Sequence, residues 1–163
     1  MHILMCNDDG ILADGLRQLA TYLSQYYRVT VVAPATEQSA KSHALTTEIP
    51  LKLDAYNGED ENPRLYALTG TPSDCMKFGL SYLLADDMPD LVISGINHGF
   101  NLGSDVLYSG TVSAAMESAF YGIPGLALSV ERYSIERGHE MHPFIHELIE
   151  KIYVNGNFEG LLN

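Results

Sequence analysis

Basic residues are scarce in this chain. Only 9 Lys and Arg residues stand against 21 Asp and Glu residues, which gives a formal net charge of -12 over 163 residues. A protein that binds DNA or RNA needs basic side chains to neutralise the phosphates, so we expect no nucleic-acid polymer as a partner. A small anionic substrate would need local help from a metal ion or a helix N-terminus, because both act at short range whatever the net charge.

Cysteines and long apolar runs are scarce as well. The two cysteines, Cys6 and Cys75, lie in apolar stretches and form no CxxC pattern, which predicts buried, reduced thiols. No apolar run reaches membrane-spanning length, and no basic segment precedes an apolar run at the start of the chain. We therefore expect no membrane association and a cytoplasmic location.

The residues that are present favour a single packed domain over residues 1–163. The chain is 46% hydrophobic and 18% charged, and strand patterns alternate with helix patterns. This alternation predicts an α/β fold, namely a Rossmann-like, doubly wound, mostly parallel sheet in three layers. The predicted strands are 1–6, 28–33, 91–93 and 126–130, with a small β-hairpin from 51–56 and 65–68. The predicted helices are 14–27, with Asp14 as N-cap, 74–84, 111–121 and 143–153.

The last residues predict that the domain continues. Leu161 and Leu162 start another apolar segment just before Asn163. A domain rarely stops where a strand starts, so we expect this sequence to be truncated at its C-terminus.

Two adjacent carboxylates, Asp8 and Asp9, follow the first predicted strand. Ligands of open α/β sheets gather beyond the carboxyl ends of the strands, so this pair would face a binding site. Two neighbouring negative charges repel each other, and a hard divalent cation that takes oxygen ligands would stabilise them. The alternative is a solvated Asp-Asp-Gly turn, because both residue types form turns readily.

The stretch 94–111 is rich in glycine and small polar residues. We expect it to leave the strand 91–93 as a loop in which Asn97 and Asn101 offer amide oxygens to a metal or N–H groups to a phosphate. Ser109-Gly110-Thr111 then starts a helix, whose unpaired N–H groups and positive dipole end form an anion site. The alternative is a capped helix after a glycine-rich loop, with nothing bound.

A third loop, 34–47, leaves the second predicted strand and contains several hydroxyl side chains, Ser39 among them. Such a loop could bring one hydroxyl to the same metal, although it could equally be a solvated loop. Its length favours function, since long loops in compact domains are often functional. His43 in this loop and His98 in the glycine-rich stretch could orient a substrate or simply hydrogen-bond a loop.

Several groups of residues occur along the chain in a specific order and spacing. They are Asn7-Asp8-Asp9-Gly10, Ala33-Pro34 with Ser39 and Ser42, Gly70-Thr71-Pro72-Ser73-Asp74-Cys75, Ser94-Gly95-Ile96-Asn97 with Gly99, Asn101, Gly103 and Asp105, and Tyr108-Ser109-Gly110-Thr111-Val112 with Ala114-Ala115 and Glu117. Together they resemble the SurE survival-protein nucleotidases over essentially the whole chain. Two positions depart from the family, because Ala40 and Ser118 stand where the family usually has glycine.

The resemblance implies a metal-dependent phosphatase that hydrolyses nucleoside monophosphates as a 5'-nucleotidase, with 3'-nucleotidase and exopolyphosphatase activity as further possibilities. It also implies one divalent metal ion, Mg²⁺ or Mn²⁺, per subunit, held by Asp8, Asp9, Ser39 and Asn97. The working form would be a homodimer or a homotetramer, and family members continue well beyond Asn163.

The chemistry agrees with this resemblance. Four protein ligands leave two positions of an octahedral ion for a phosphate oxygen and a water, and either Asp8 or Asp9 would handle the proton. Asn101 and the residues Ser109, Gly110 and Thr111 are the expected phosphate contacts. Phosphoryl transfer depends mainly on such positioning and on charge stabilisation.

Other classes fit less well. A phospho-accepting receiver domain needs a third aspartate at the end of its central strand, where this chain has Ser94. Haloacid-dehalogenase-type phosphatases use an Asp-x-Asp pattern, whereas Asp8 and Asp9 are adjacent. A non-catalytic nucleotide-binding module remains an alternative, and turnover of a nucleoside monophosphate would separate it from an enzyme.

Overall fold

A computed structural model describes residues 1–131, 140–154 and 158–163. The strands are β1 (His2–Cys6), β2 (Arg28–Pro34), β3 (Leu53–Ala55), β4 (Arg64–Leu68), β5 (Leu91–His98), β6 (Gly125–Val130) and β7 (Leu161–Leu162). They form one seven-stranded sheet in the order β3-β4-β2-β1-β5-β6-β7. All neighbours are parallel except β3 and β4, which form the predicted antiparallel hairpin. The predicted α/β fold with a mostly parallel sheet is confirmed.

Helices cover both faces of this sheet, as three layers require. The helices are α1 (Asp14–Leu23), α2 (Pro72–Phe78), α3 (Gly110–Glu117) and α4 (His142–Ile149). Residues of α1 and α4 pack with Ile3 and Met5 in one buried cluster, whereas residues of α2 and α3 pack with Leu4 and Cys6 in another. β1 is buried on both faces, and its residues from Ile3 to Cys6 are accordingly all apolar rather than alternating.

Single turns of other helical types extend this framework. A π-helical turn, Gly79–Leu83, continues α2, and a second one, Glu150–Val154, continues α4. Short 3₁₀ helices precede and follow α3, at Gly103–Leu107 and Ser118–Tyr121. Within the described ranges, none of the helices is both long and apolar enough to cross a membrane.

The N-cap predicted for the first helix and the start predicted for the second helix are wrong. Asp14 is the first residue of α1 and not its N-cap; Ala13 has that place, with no side-chain cap hydrogen bond. Helix α2 starts at Pro72 rather than at residue 74, because Thr71 and Asp74 form a capping box. Each side chain of the box accepts a hydrogen bond from the other residue's backbone N–H, which fixes the helix start. The predicted end of the first helix at residue 27 is also too late, since α1 ends at Leu23.

The strand predicted at 91–93 is longer than expected. It continues to His98, so Ser94-Gly95-Ile96-Asn97 belongs to β5 and is not a loop. The extension pairs with β6, where Asn97 lies opposite Ser129 beyond an irregularity in the register. The remaining predicted elements lie within a few residues of the observed ones, and Leu161–Leu162 is a strand as predicted. Cys6 and Cys75 are buried free thiols, as predicted.

Candidate active site

The predicted site residues follow the carboxyl ends of neighbouring strands. β1 lies between β2 and β5 in the sheet and is parallel to both. The chain leaves β1 toward β2 on one side and reaches β5 on the other, so the strand order reverses at β1. This reversal is the usual ligand site of an open parallel sheet. Asp8 and Asp9 follow β1 directly, and Asn97 lies near the end of β5.

Local hydrogen bonds fix the turn after β1. The Asn7 side chain accepts from Gly10 N–H and donates to Gly10 O, both at 3.1 Å. Gly10 has φ +101, and a Cβ there would lie 3.3 Å from Pro34 O, so the glycine lets this turn pack against β2. The turn therefore holds the two aspartates against the sheet, and Asp8 is only 5% exposed. The alternative of a solvated Asp-Asp-Gly turn is wrong for Asp8.

Asp8 contacts the N-terminus of α3. The hydroxyl of Thr111 donates to Asp8 Oδ1 at 2.6 Å, and a Cβ on Gly110 would lie 2.9 Å from Asp8 Cβ. Burial raises the pKa of the Asp8 carboxyl, and the hydrogen bond from Thr111 opposes that rise. The carboxylate of Asp8, a predicted metal ligand, thus lies at a helix N-terminus.

Asp9 lies among other ionisable groups. Burial raises the pKa of its carboxyl, the nearby His98 opposes the rise, and the negative charges of Asp8 and Glu37 add to it. Its Oδ2 atom is buried and has no hydrogen-bond partner among the described residues, and the same holds for Nε2 of His98. A buried carboxylate oxygen without a partner among like charges is the situation that a bound cation would stabilise.

Ser39 is exposed in the loop after β2 and donates its hydroxyl proton to Glu37 Oε1 at 2.8 Å. The hydroxyl oxygen keeps its lone pairs for another partner. Sequence reasoning missed Glu37, although an acidic residue two positions from a predicted hydroxyl ligand was a usable signal. The following residue, Ala40, has φ +57, a conformation that glycine adopts more easily.

Asn97 and Asn101 are both anchored through their amide nitrogens. Asn97 Nδ2 donates to Gly99 O at 2.8 Å, which leaves its amide oxygen as the group that can bind a metal. Asn101 Nδ2 donates to Ser129 Oγ at 2.8 Å, so part of its donor capacity holds β6. Only one of its two N–H groups is used in this way.

The start of α3 is the predicted helix start. Ser109 is the N-cap, and its Oγ accepts from Val112 N–H at 3.1 Å. The backbone N–H groups of Gly110 and Thr111, in the first turn, have no partner within the helix. The Thr111 hydroxyl donates its hydrogen bond to Asp8, however. This side chain therefore orients a carboxylate, whereas a direct contact with phosphate was expected.

The oxygen donors at this edge fit a hard divalent cation. Within residues 1–131, 140–154 and 158–163, no group of three or more His, Cys, Asp or Glu side chains could hold a metal ion. A metal would need the mixed set predicted here: two carboxylates, an amide oxygen and a hydroxyl oxygen. Such a set suits Mg²⁺ or Mn²⁺, and the unpartnered oxygen of Asp9 supports the fit.

Comparisons with known proteins agree with this fold. The family described as Survival protein SurE matches residues 3–163. A 5'-nucleotidase SurE of Thermoanaerobacter sp. is 50% identical over 156 residues, which cover 96% of this chain and 61% of that protein. A 5'-nucleotidase SurE of Thermosipho africanus is 54% identical over 139 residues, which cover 83% of this chain and 52% of that protein.

A solved structure shows the same likeness. The crystal structure of the SurE protein from Aquifex aeolicus superposes with a TM-score of 0.83 and 38% identity, over 96% of this chain and 62% of that one. The chain therefore spans about three fifths of the length of several relatives, for example 61% of the Thermoanaerobacter protein. The family match over residues 3–163 and the identities near 50% establish that this chain belongs to the SurE survival-protein family.

Proposed function

We propose that the full-length protein is a cytoplasmic, metal-dependent phosphatase that hydrolyses nucleoside monophosphates. The family membership supports this proposal, since several relatives, including the Thermoanaerobacter protein, are named 5'-nucleotidases. Asp8, Asp9, Ser39 and Asn97 are the proposed ligands of one Mg²⁺ or Mn²⁺ per subunit. Activity toward 3'-nucleotides and polyphosphate, and a homodimeric or homotetrameric form, belong to the same proposal.

One contact carries the proposal. The Asp8 carboxylate, a proposed metal ligand, is held at the N-terminus of α3 by the hydroxyl of Thr111 at 2.6 Å. A helix N-terminus binds phosphate, and a carboxylate binds a divalent cation. A phosphate at the α3 N-terminus would therefore lie beside the metal site, as a phosphatase requires.

The residues of the chain then have distinct tasks. The backbone N–H groups of Gly110 and Thr111 bind the phosphate oxygens, with the Ser109 hydroxyl and the second amide N–H of Asn101 as further donors. These donors stabilise the negative charge that phosphoryl transfer redistributes over the phosphate oxygens. When bound, the divalent ion would polarise a phosphate oxygen and lower the pKa of water.

The proton of the attacking water needs an acceptor. We assign this role to Asp9, because Asp8 Oδ1 already accepts a hydrogen bond from Thr111. Water, and not Ser39, is the proposed nucleophile. A covalent phosphoserine at Ser39 would contradict this assignment.

A cavity of about 300 Å³ lies beside the site, between the loop after β2 and the turn before α2. Its wall includes Gln38, whose backbone N–H donates to Asp8 O at 2.7 Å. Ile49 and Leu68 give it an apolar part, while threonine hydroxyls give it a polar part. We assign the nucleoside of the substrate to this cavity, since ligand pockets combine apolar walls with a few polar groups.

The test is release of inorganic phosphate from 5'-AMP by the full-length protein with Mn²⁺ or Mg²⁺, beside direct measurement of 5'-AMP binding. The proposal predicts turnover that depends on the metal. Binding of 5'-AMP without any phosphate release would instead identify a nucleotide-binding module. Parallel assays with 3'-AMP and polyphosphate define the substrate range, and light scattering gives the oligomeric state.

A further inference from the structure

Ser39 is not held in place by packing or by regular secondary structure. The segment between β2 and β3 contains no helix or strand, and Ser39 within it is exposed. Besides its own hydrogen bond to Glu37, the position of its hydroxyl depends on the hydrogen bonds that the loop makes on either side. This matters because a metal ligand has to be fixed closely for a tight site.

The loop is attached before and after Ser39. Before it, the N–H of Gln38 donates to Asp8 O at 2.7 Å. After it, the hydroxyl of Ser42 donates to Leu107 O at 2.7 Å, in the segment that leads to α3. Ser39 thus lies on a short span between the turn after β1 and the segment before α3.

His43, the next residue of the loop, contacts a second ionisable side chain, that of Glu117 on α3. His43 Nε2 donates to Glu117 Oε1 at 2.5 Å. The Glu117 side chain, on the last residue of α3, is only 5% exposed, whereas that of His43 is 30% exposed. A buried carboxylate needs a hydrogen-bond partner, and His43 is the partner that this one has among the described residues.

These contacts connect the loop that carries Ser39 to Asp8, a proposed metal ligand, both directly and through α3. Asp8 is bonded to Thr111 on α3, Glu117 on the same helix is bonded to His43, and the loop returns through Gln38 to the backbone of Asp8. A helix is a rigid connection, so a change at Glu117 alters the loop relative to Asp8. We infer that His43 and Glu117 are a positioning pair that places the Ser39 hydroxyl for metal binding.

This inference rests on the proposed metal site, and its test uses metal affinity in the absence of substrate. Mn²⁺ binding to the full-length protein is measured by electron paramagnetic resonance for the wild type, His43→Ala, Ser39→Ala and the double variant. We expect His43→Ala to weaken Mn²⁺ binding about tenfold, in the range that loss of a partner to a buried carboxylate gives. In the Ser39→Ala background the same change should have little further effect, because the pair acts through Ser39.

Further variants separate positioning from general stability. His43→Gln retains an N–H donor for Glu117, and Glu117→Gln retains an oxygen acceptor for His43, so both should keep Mn²⁺ affinity within about threefold of the wild type. His146→Ala is the matched control, because His146 is similarly part-buried and faces Glu150 on the other side of the sheet. It should lower the melting temperature at most, without changing Mn²⁺ affinity. If His43→Ala does not fold, His43→Leu replaces it in the cycle, because leucine has no N–H donor for Glu117.

Three results would overturn the inference. One is a His43 variant with lowered melting temperature but wild-type Mn²⁺ affinity, and another is a full additional loss in the Ser39→Ala background. A wild-type protein that binds no Mn²⁺ would overturn both the pair and the proposed function. A wild type that binds Mn²⁺ but hydrolyses no 5'-AMP would contradict the proposed function alone, and the Mn²⁺ cycle would still decide the role of the pair.

Discussion

Replacing Gly110 by alanine tests whether the metal site and the phosphate site share one wall. A Cβ at this position would lie 2.9 Å from Asp8 Cβ, 3.2 Å from Asp8 Oδ2 and 3.2 Å from Pro72 Cγ. The first distance is too short for two carbon atoms, so Asp8 has to move. Overpacking of this kind costs about 1–3 kcal/mol, and about 1.4 kcal/mol corresponds to a tenfold change in an equilibrium constant.

The expected result for Gly110→Ala is therefore a loss of about one to two decades in kcat/KM for 5'-AMP, together with weaker Mn²⁺ binding. Because the new methyl group displaces the Asp8 carboxylate, metal binding should suffer as well as phosphate binding. The control is Gly58→Ala, whose Cβ would meet only Glu61 Cγ at 3.8 Å. Steady-state kinetics and Mn²⁺ titration check the prediction. A folded Gly110→Ala protein with wild-type values for both would refute the argument.

Three further predictions concern the loop after β2, the protonation of a buried histidine and the cavity. Ala40→Gly should raise the free energy of unfolding by up to about 1 kcal/mol, because φ +57 strains alanine. The control Ala44→Gly should lower the free energy of unfolding. Urea unfolding compares the two variants, and an equal loss of stability for both would contradict the prediction. Burial and the neighbouring Arg28 lower the pKa of His2, so the folded state favours the neutral imidazole. The stabilisation that neutral His2 contributes is therefore present above pH 6.5 and is lost as the pH falls from there through the lowered pKa. Urea unfolding of the wild type and His2→Gln at pH 7.5 and 5 should show a smaller loss on acidification for the variant, and equal losses would refute this role. Ile49→Ala should raise KM about threefold to tenfold for 5'-AMP but not for p-nitrophenyl phosphate, because the lost apolar contact concerns only the nucleoside; equal changes for both substrates would place the nucleoside elsewhere.

The sequence predicted the fold well because its strands are short, apolar and separated by helical patterns. The short apolar run from Ile3 to Cys6, followed by a turn, favours a strand, and the strand is buried on both faces. The extension of β5 was missed because Ser94 and Gly95 are typical of turns, while their actual conformation depends on pairing with β6. Tertiary pairing of this kind overrides local propensity.

The candidate site was predictable where its residues lie at the ends of strands that the sequence pattern indicates. Asp8 and Asp9 follow β1, and Asn97 lies near the end of the adjacent strand β5, so the topology places them at one edge of the sheet. The bond from Thr111 to Asp8 joins residues 103 positions apart, and no local pattern indicates it. The same holds for His43 and Glu117, which are 74 positions apart.

The dependence of 5'-AMP hydrolysis on a divalent cation tests the central claim most directly. Full-length wild type, Asp9→Asn and the control Asp54→Asn, whose carboxylate pairs with Lys52 at the surface, are treated with EDTA and then titrated with Mn²⁺. We expect no phosphate release after EDTA, recovery with Mn²⁺ for the wild type and Asp54→Asn, and no recovery for Asp9→Asn. Phosphate release that persists in EDTA, or an Asp9→Asn protein that recovers like the wild type, would contradict it.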